Sequence, residues 1–149
     1  MKIVSLLCCA KANSAATSLG LLVLRVSFGA MMLFGHGLGK LQNFSAINAS
    51  GNFPVPASLS FLSPTVILVL AILAEFFGSL LIILGLGTRL AALSWIAIMG
   101  GAAFLTHQAD PIFSKAGPSK ELALVYLSVA VVIFITGSGR YSVDKLIKG

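Results

Sequence analysis

Two ionisable side chains interrupt long apolar stretches of the sequence: Arg25 within residues 19–39 and Glu75 within residues 64–86. On a helix that rises 1.5 Å per residue, Glu75 lies about 16 Å beyond Pro64, near the middle of a bilayer. An unpaired carboxylate there would cost at least about 2.5 kcal/mol, so we expect it to be paired or protonated. The depths of the two residues make Arg25 the predicted partner. The pair would act either as an ion-pair lock between two helices or as a proton or quinone site.

A second polar group is predicted at the outer ends of the apolar stretches: His36, Lys40, His107 and Glu121. His36 follows Arg25 by close to three helical turns, so both lie on one helix face. Lys40 is four residues after His36, one turn further along. Two histidines and a carboxylate are few ligands for a metal, and we assign no metal site. The open alternatives are a proton relay, a site for a ligand head group, and interfacial polar residues that satisfy helix ends.

The composition indicates which elements must position these side chains. Only 9% of the 149 residues are charged, against about 25% in soluble domains. The hydrophobic fraction is 58% and the mean hydropathy is +1.03. A soluble domain of this length could not bury the apolar surface that this composition implies. The composition therefore excludes a soluble globular domain, a disordered chain and a disulfide scaffold, and it favours a polytopic membrane protein.

Neither the net charge nor the cysteines indicate further chemistry. The net charge of +6 comes from scattered single residues, so we attribute it to membrane topology and expect no nucleic-acid partner. Cys8 and Cys9 are adjacent, a spacing that rarely forms a bridge, and the sequence has no Cys-x-x-Cys pair. Thiol–disulfide chemistry carried by this chain alone and a cysteine zinc site are therefore not expected.

Four apolar stretches predict an all-α fold, a bundle of four transmembrane helices. None shows the alternation of apolar and polar residues that is typical of a membrane β-barrel strand. Ser119 is predicted as the N-cap of the fourth helix. The stretches are residues 19–39, 64–86, 90–106 and 122–136, joined by a loop over 42–63, a tight turn at 87–89 and a loop over 108–118.

The distribution of Lys and Arg predicts the orientation in the membrane. Six basic residues lie on one side and three on the other, so we expect both termini, including an N-terminal tail over residues 1–18, in the cytoplasm. Arg89 and Arg140 would be polar anchors at that face. The apolar run 3–10 also fits a signal peptide, an alternative that the charge count disfavours. The six residues are Lys2, Lys11, Arg89, Arg140, Lys145 and Lys148, and the three are Lys40, Lys115 and Lys120.

Taken together, the order and spacing of the polar motifs are similar to those of the DoxX family of small four-helix membrane proteins, with the membrane domain at residues 19–146. Phe77 departs from that pattern, which has a second small residue at this position. The motifs that carry the resemblance are Arg25-x-x-x-Gly29, His36-Gly37, Lys40-Leu41, Ala74-Glu75-Phe76-Phe77-Gly78, Leu84-Gly85-Leu86-Gly87-Thr88-Arg89-Leu90-Ala91, His107, Glu121-Leu122-Ala123 and Gly137-Ser138-Gly139-Arg140-Tyr141-Ser142-Val143-Asp144.

The resemblance implies a function in membrane redox chemistry. The family is named for a subunit associated with terminal quinol oxidase and thiosulfate:quinone oxidoreductase. A related branch uses cysteine pairs for disulfide chemistry, which this sequence lacks. We therefore expect an accessory subunit of a quinone-linked system in a bacterial cytoplasmic (inner) membrane, catalytic or not, with the lipid bilayer and redox proteins as partners.

Two other functions stay open at this point. The chain has no evident ligand set for haem, flavin or an iron–sulfur cluster, so an electron carrier would be a quinone or would lie on a partner. A non-enzymatic scaffold that recruits soluble redox proteins would not depend on Glu75 but on the outer loops and the C-terminal tail. A small transporter would need a polar path between the two predicted clusters, and the apolar third and fourth helices disfavour it.

Overall fold

The computed structural model describes residues 14–148, and within this part of the chain all regular structure is helical. A 3₁₀ turn at Ala57–Leu59 lies in the first long connection. The helices are α1 (Ala15–Gln42), α2 (Phe44–Ser50), α3 (Pro64–Leu84), α4 (Thr88–Thr106), α5 (Glu121–Thr136) and α6 (Val143–Lys148).

Three of these helices, α1, α3 and α4, are long and apolar enough to cross a membrane. Their positions confirm the first three predicted spans, although α1 begins four residues before residue 19 and ends at Gln42. Helix α5 is apolar but has 16 residues, about 24 Å of rise against the roughly 30 Å of a hydrocarbon core. The all-helical prediction is confirmed, whereas the described structure supports three spanning helices and a shorter fourth.

Two local predictions were wrong. The connection 42–63 was expected to be a loop, but it contains α2, which starts after the N-cap Asn43 and ends at the C-cap Gly51 with φ 65°. Asparagine and glycine are typical residues for these positions, so the signal was in the sequence. Ser119 is not the N-cap of α5, because that position is Lys120 and no side chain makes a cap hydrogen bond. The first part of the predicted tail, with Cys8 and Cys9, lies outside the described residues.

The helices α1, α3, α4 and α5 form one core. Helix α1 packs against α3 and α5, and α4 packs against the same two helices on the other side. Trp95 lies fully buried at the centre, and it contacts Tyr126 edge to face at 5.7 Å between ring centroids. The outer surfaces of the helices are rich in exposed Leu, Val, Ile and Phe, the surface that a bilayer would cover.

The closest approach of α1 and α3 is at Gly37. A Cβ atom on this residue would lie only 2.6 Å from the backbone carbon and oxygen of Glu75. Gly29, two turns earlier, packs against the side chain of Ile83. Glycines therefore set both the distance and the register between the two helices.

Candidate functional site

Each of the three long helices contains one π-helical turn. The turns span Leu33–Gly37 in α1, Leu73–Gly78 in α3 and Ala102–Thr106 in α4. A π turn breaks the regular i to i−4 hydrogen bonding and is frequently found at functional sites. All three turns contribute residues to the wall of one cavity, which makes this cavity the candidate site.

Two side chains donate hydrogen bonds to carbonyl oxygens of the π turn of α3. The indole Nε1 of Trp95 donates a hydrogen bond of 3.0 Å to the carbonyl oxygen of Ala74. The hydroxyl of Ser79 donates to the carbonyl oxygen of Glu75, one residue further along. Buried carbonyl groups need such partners, so Trp95 and Ser79 stabilise the turn that carries the Glu75 side chain.

Glu75 is paired with Lys40. The Lys40 Nζ atom lies 2.5 Å from Glu75 Oε2, and the two side chains are 23% and 6% exposed. The predicted pair between Glu75 and Arg25 was wrong. The contact at Gly37 places Lys40 about one turn above Glu75, and the flexible lysine stem reaches down to the carboxylate. The contact gives the buried carboxylate of Glu75 a hydrogen-bond donor within the helix bundle.

The cavity has a volume of about 240 Å³ and combines polar and apolar walls. It joins three members of the predicted outer group, His36, Lys40 and His107, with Glu75 from the other predicted site. Met32 and Met99 form part of the apolar wall. Within residues 14–148, no group of three or more His, Cys, Asp or Glu side chains is arranged to hold a metal ion.

Glu121, the fourth predicted member of the outer group, lies elsewhere. It is exposed and lines a separate groove with Ile112, Phe113 and Ser128. The helical rotation between Glu121 and Tyr126 is about 140°, so the two side chains leave α5 on different faces. The residues of this helix that line the cavity are Leu122, Ala123 and Tyr126.

Tyr126 is a site residue that the sequence analysis missed. Its ring makes edge-to-face contacts with Phe28, His36 and Trp95, with centroid distances of 6.0, 5.8 and 5.7 Å. These contacts fix the orientation of both the tyrosine and the His36 imidazole. The signal that could have identified it is a tyrosine within an apolar span, away from the interfacial positions where tyrosines concentrate.

His107 closes the outer end of the cavity and is held by an acidic neighbour. Its Nδ1 atom lies 2.6 Å from Asp110 Oδ2. A carboxylate on one imidazole nitrogen orients the ring and leaves Nε2 for another partner. The cavity thus offers an ammonium donor, a carboxylate acceptor and imidazole groups around an apolar floor, an arrangement suited to a small ring that carries polar atoms.

Arg25 belongs to the opposite end of the core, about 16 Å along α1 from His36. Its side chain is fully buried, and its guanidinium donates to carbonyl oxygens of two chain segments, including a long hydrogen bond of 3.5 Å from Nη1 to Ile83. Nη1 donates to Ile82 at 3.0 Å, near the end of α3, and Nη2 donates to Tyr141 at 2.6 Å, in the C-terminal segment. Arg25 therefore joins α1 to both neighbours and takes no part in the cavity.

Asp144 holds the same C-terminal segment against the start of α4. Its carboxylate accepts hydrogen bonds from the backbone N–H groups of Gly87 and Thr88, at 2.8 and 3.1 Å, and from the Thr88 hydroxyl at 2.9 Å. It therefore caps the helix from a distant part of the chain. Arg89 and Arg140, the predicted polar anchors, are both exposed at this end of the molecule.

The family model that matches the chain is DoxX, over residues 20–108. The chain belongs to the DoxX family. The match covers Arg25, His36, Lys40, Glu75 and His107, and it ends before Glu121 and the C-terminal segment. The large Phe77 side chain is 47% exposed on the outer surface of α3, which explains why this DoxX protein tolerates it.

Two relatives from Haemophilus influenzae, both described as uncharacterized proteins, resemble this DoxX protein over most of its length. One is 30% identical over 140 residues, which cover 93% of this chain and 89% of the relative. The other is 31% identical over 118 residues, which cover 78% and 82%. No solved structure matches the chain significantly.

Proposed function

We propose that this DoxX membrane protein is an accessory subunit of a redox system and that its cavity binds the head group of a quinone. The observation that carries the proposal is the convergence of three π turns on one cavity that contains the buried Lys40–Glu75 pair. Ionisable groups inside membrane-spanning segments are costly and generally functional. A purely structural ion pair would need neither the histidines nor the open volume beside it.

The dimensions and the chemistry of the cavity suit a quinone ring. A volume of about 240 Å³ is smaller than the roughly 300–1,000 Å³ of most ligand pockets, so it suits no more than a single substituted ring. The ammonium of Lys40 would donate a hydrogen bond to one quinone carbonyl oxygen. An imidazole N–H of His36 or His107 would donate to the other carbonyl oxygen. Met32 and Met99 would pack against the ring face.

The electrons would come from a partner protein. A quinone takes up two electrons and two protons when it becomes a quinol. The electron donor would be a soluble or membrane redox protein. Glu75 and the His107–Asp110 pair are the groups of this chain that could exchange protons with the bound head group. The role of this subunit is then to hold the quinone and to move protons.

We place the protein in a bacterial cytoplasmic membrane with both termini in the cytoplasm, on the basis of its basic residues and its bacterial relatives. Helix α5 would be the fourth span. Exposed apolar side chains along it, such as Leu122, Val132 and Ile135, favour contact with lipid. The preceding residues of the connection, or local thinning of the bilayer, would compensate for its length.

The test is mass spectrometry of lipid-soluble molecules that copurify with the full chain. We expect a quinone in a constant ratio to the wild-type protein and its loss from Glu75→Gln and Lys40→Gln. Glu121→Gln is the matched control, because it removes the same charge outside the cavity, and it should retain the quinone.

The results also separate the proposed function from a scaffold. Absence of a quinone from the wild type, or equal amounts in all variants, would contradict the proposal. A recruitment assay with the same variants would then identify a scaffold, whose partner binding would survive Glu75→Gln. The apolar core between Arg25 and the cavity, which contains Ile82 and Trp95, gives a transporter no polar path.

A further inference from the structure

A second polar cavity lies at the opposite end of the molecule from the candidate quinone site. Its volume is about 340 Å³, within the usual range for ligand sites. One wall is formed where α4 begins, and the rest where α5 ends and by the C-terminal segment that follows. Its polar lining consists of Thr88, Arg89, Thr136, Ser138, Asp144 and Lys145.

Arg89 supplies most of the hydrogen-bond donors of this cavity. Within the described part of the chain its guanidinium makes a single long hydrogen bond, from Nη2 to the carbonyl oxygen of Ile135 at 3.4 Å. The other N–H groups of the side chain stay available for a ligand. Its Nε atom lies 3.7 Å from the position that a Cβ on Gly137 would take, so the guanidinium packs against this glycine at the cavity wall.

The Asp144 carboxylate is hydrogen-bonded within the protein. Its two carboxylate oxygens accept three hydrogen bonds from Gly87 and Thr88 at the start of α4. The Thr136 hydroxyl likewise donates to the carbonyl oxygen of Val132. The lining then presents two cations, Arg89 and Lys145, and one carboxylate, which accepts three hydrogen bonds from the start of α4.

We propose that this cavity binds a phosphate group. A planar guanidinium donates two parallel hydrogen bonds to phosphate oxygens, and a lysine ammonium adds a mobile point charge. The hydroxyl of Ser138 would bind a third oxygen. The site is separate from the proposed quinone cavity, and it does not depend on that function.

The position of the cavity points to a phospholipid as the source of the phosphate. Helices α4 and α5 meet the interface where Arg89 and Gly137 lie, because Arg89 is the second residue of α4 and Gly137 directly follows α5. Lipid head groups occupy this level, and basic residues there attract anionic lipids. A free phosphate ion would use the same donors, and the experiment distinguishes the two sources.

The experiment is native mass spectrometry of the full chain in detergent, titrated with phosphatidylglycerol and, separately, with phosphatidylcholine. We expect phosphatidylglycerol to bind the wild type more tightly, and Arg89→Gln and Lys145→Gln each to weaken it about tenfold or more, since hydrogen bonds to charged groups are lost. Arg140→Gln removes the same charge at the same end but outside the cavity, so its binding should match the wild type.

A second titration with inorganic phosphate follows thermal stability. If phosphate alone stabilises the wild type but not Arg89→Gln, and phosphatidylglycerol gives no further effect, the site takes a free phosphate ion. Equal loss of binding in Arg140→Gln would show attraction to overall surface charge and would overturn the proposal. Unchanged binding in both Arg89→Gln and Lys145→Gln would also overturn the proposal. Lys145 is an exposed residue of a short terminal helix, so its replacement should leave the bundle folded.

Discussion

The contact between α1 and α3 at Gly37 gives a sharp test of the site geometry. In Gly37→Ala, the new Cβ would lie 2.6 Å from the backbone carbon and oxygen of Glu75 and 2.7 Å from the backbone nitrogen of Phe76. Carbon atoms in contact are normally 3.5–4.0 Å apart, so the two helices must separate by about 1 Å. Backbone atoms cannot rotate away as a side chain would, and the strain must be spread along both helices.

The expected loss of stability is that of an overpacked core. Inserting a methyl group into a well-packed contact typically costs about 1–3 kcal/mol, which is roughly a 5- to 150-fold change in the unfolding equilibrium. The free energy of unfolding can be measured by titrating the purified protein with sodium dodecyl sulfate in mixed micelles. The separation also carries Lys40 away from Glu75, so Gly37→Ala should lose bound quinone as well.

Gly35→Ala is the matched control for this experiment. Gly35 lies in the same π turn of α1, but a Cβ on it would meet nothing within 4 Å. Alanine is favoured over glycine in a helix by about 1 kcal/mol, so this variant should be as stable as the wild type or more stable. Equal stability of the two alanine variants would refute the assigned packing of α1 against α3.

Three further variants test the remaining contacts. Trp95→Phe keeps the aromatic ring but leaves the Ala74 carbonyl without its donor, so the free energy of unfolding should fall by about 1–3 kcal/mol, and an unchanged value would exclude that hydrogen bond. Asp144→Ala removes the cap of Thr88 and should cost about 0.5–2 kcal/mol, with faster cleavage of the C-terminal segment in limited proteolysis. Arg25→Lys keeps the charge but loses the planar group that donates to carbonyl oxygens of two chain segments, so we expect lower thermal stability without loss of bound quinone.

The fold was largely predictable because long apolar stretches have few alternatives in a membrane. The residues that begin and end α3 and α4 were predicted within two positions. The π turns were not predictable in the same way. The π turn of α3 accepts a hydrogen bond from another helix, from the indole of Trp95 on α4, and local helix propensity carries no information about that contact.

The predicted partners of the charged residues were wrong for a related reason. Counting residues from the ends of each span gives a depth but no register between helices. The register depends on Gly37, which brings Lys40 to the level of Glu75. Arg25 was expected near Glu75 by depth, but the carbonyl groups at the end of α3 and in the C-terminal segment lie closer and satisfy it.

The most direct test of the proposed function is the molar ratio of quinone to purified protein. We expect a constant ratio in the wild type and in Glu121→Gln. We expect little or no quinone in Glu75→Gln and Lys40→Gln, although all four proteins are folded. A wild type without quinone, or a Glu75→Gln variant that retains the wild-type ratio, would contradict the assignment of the cavity.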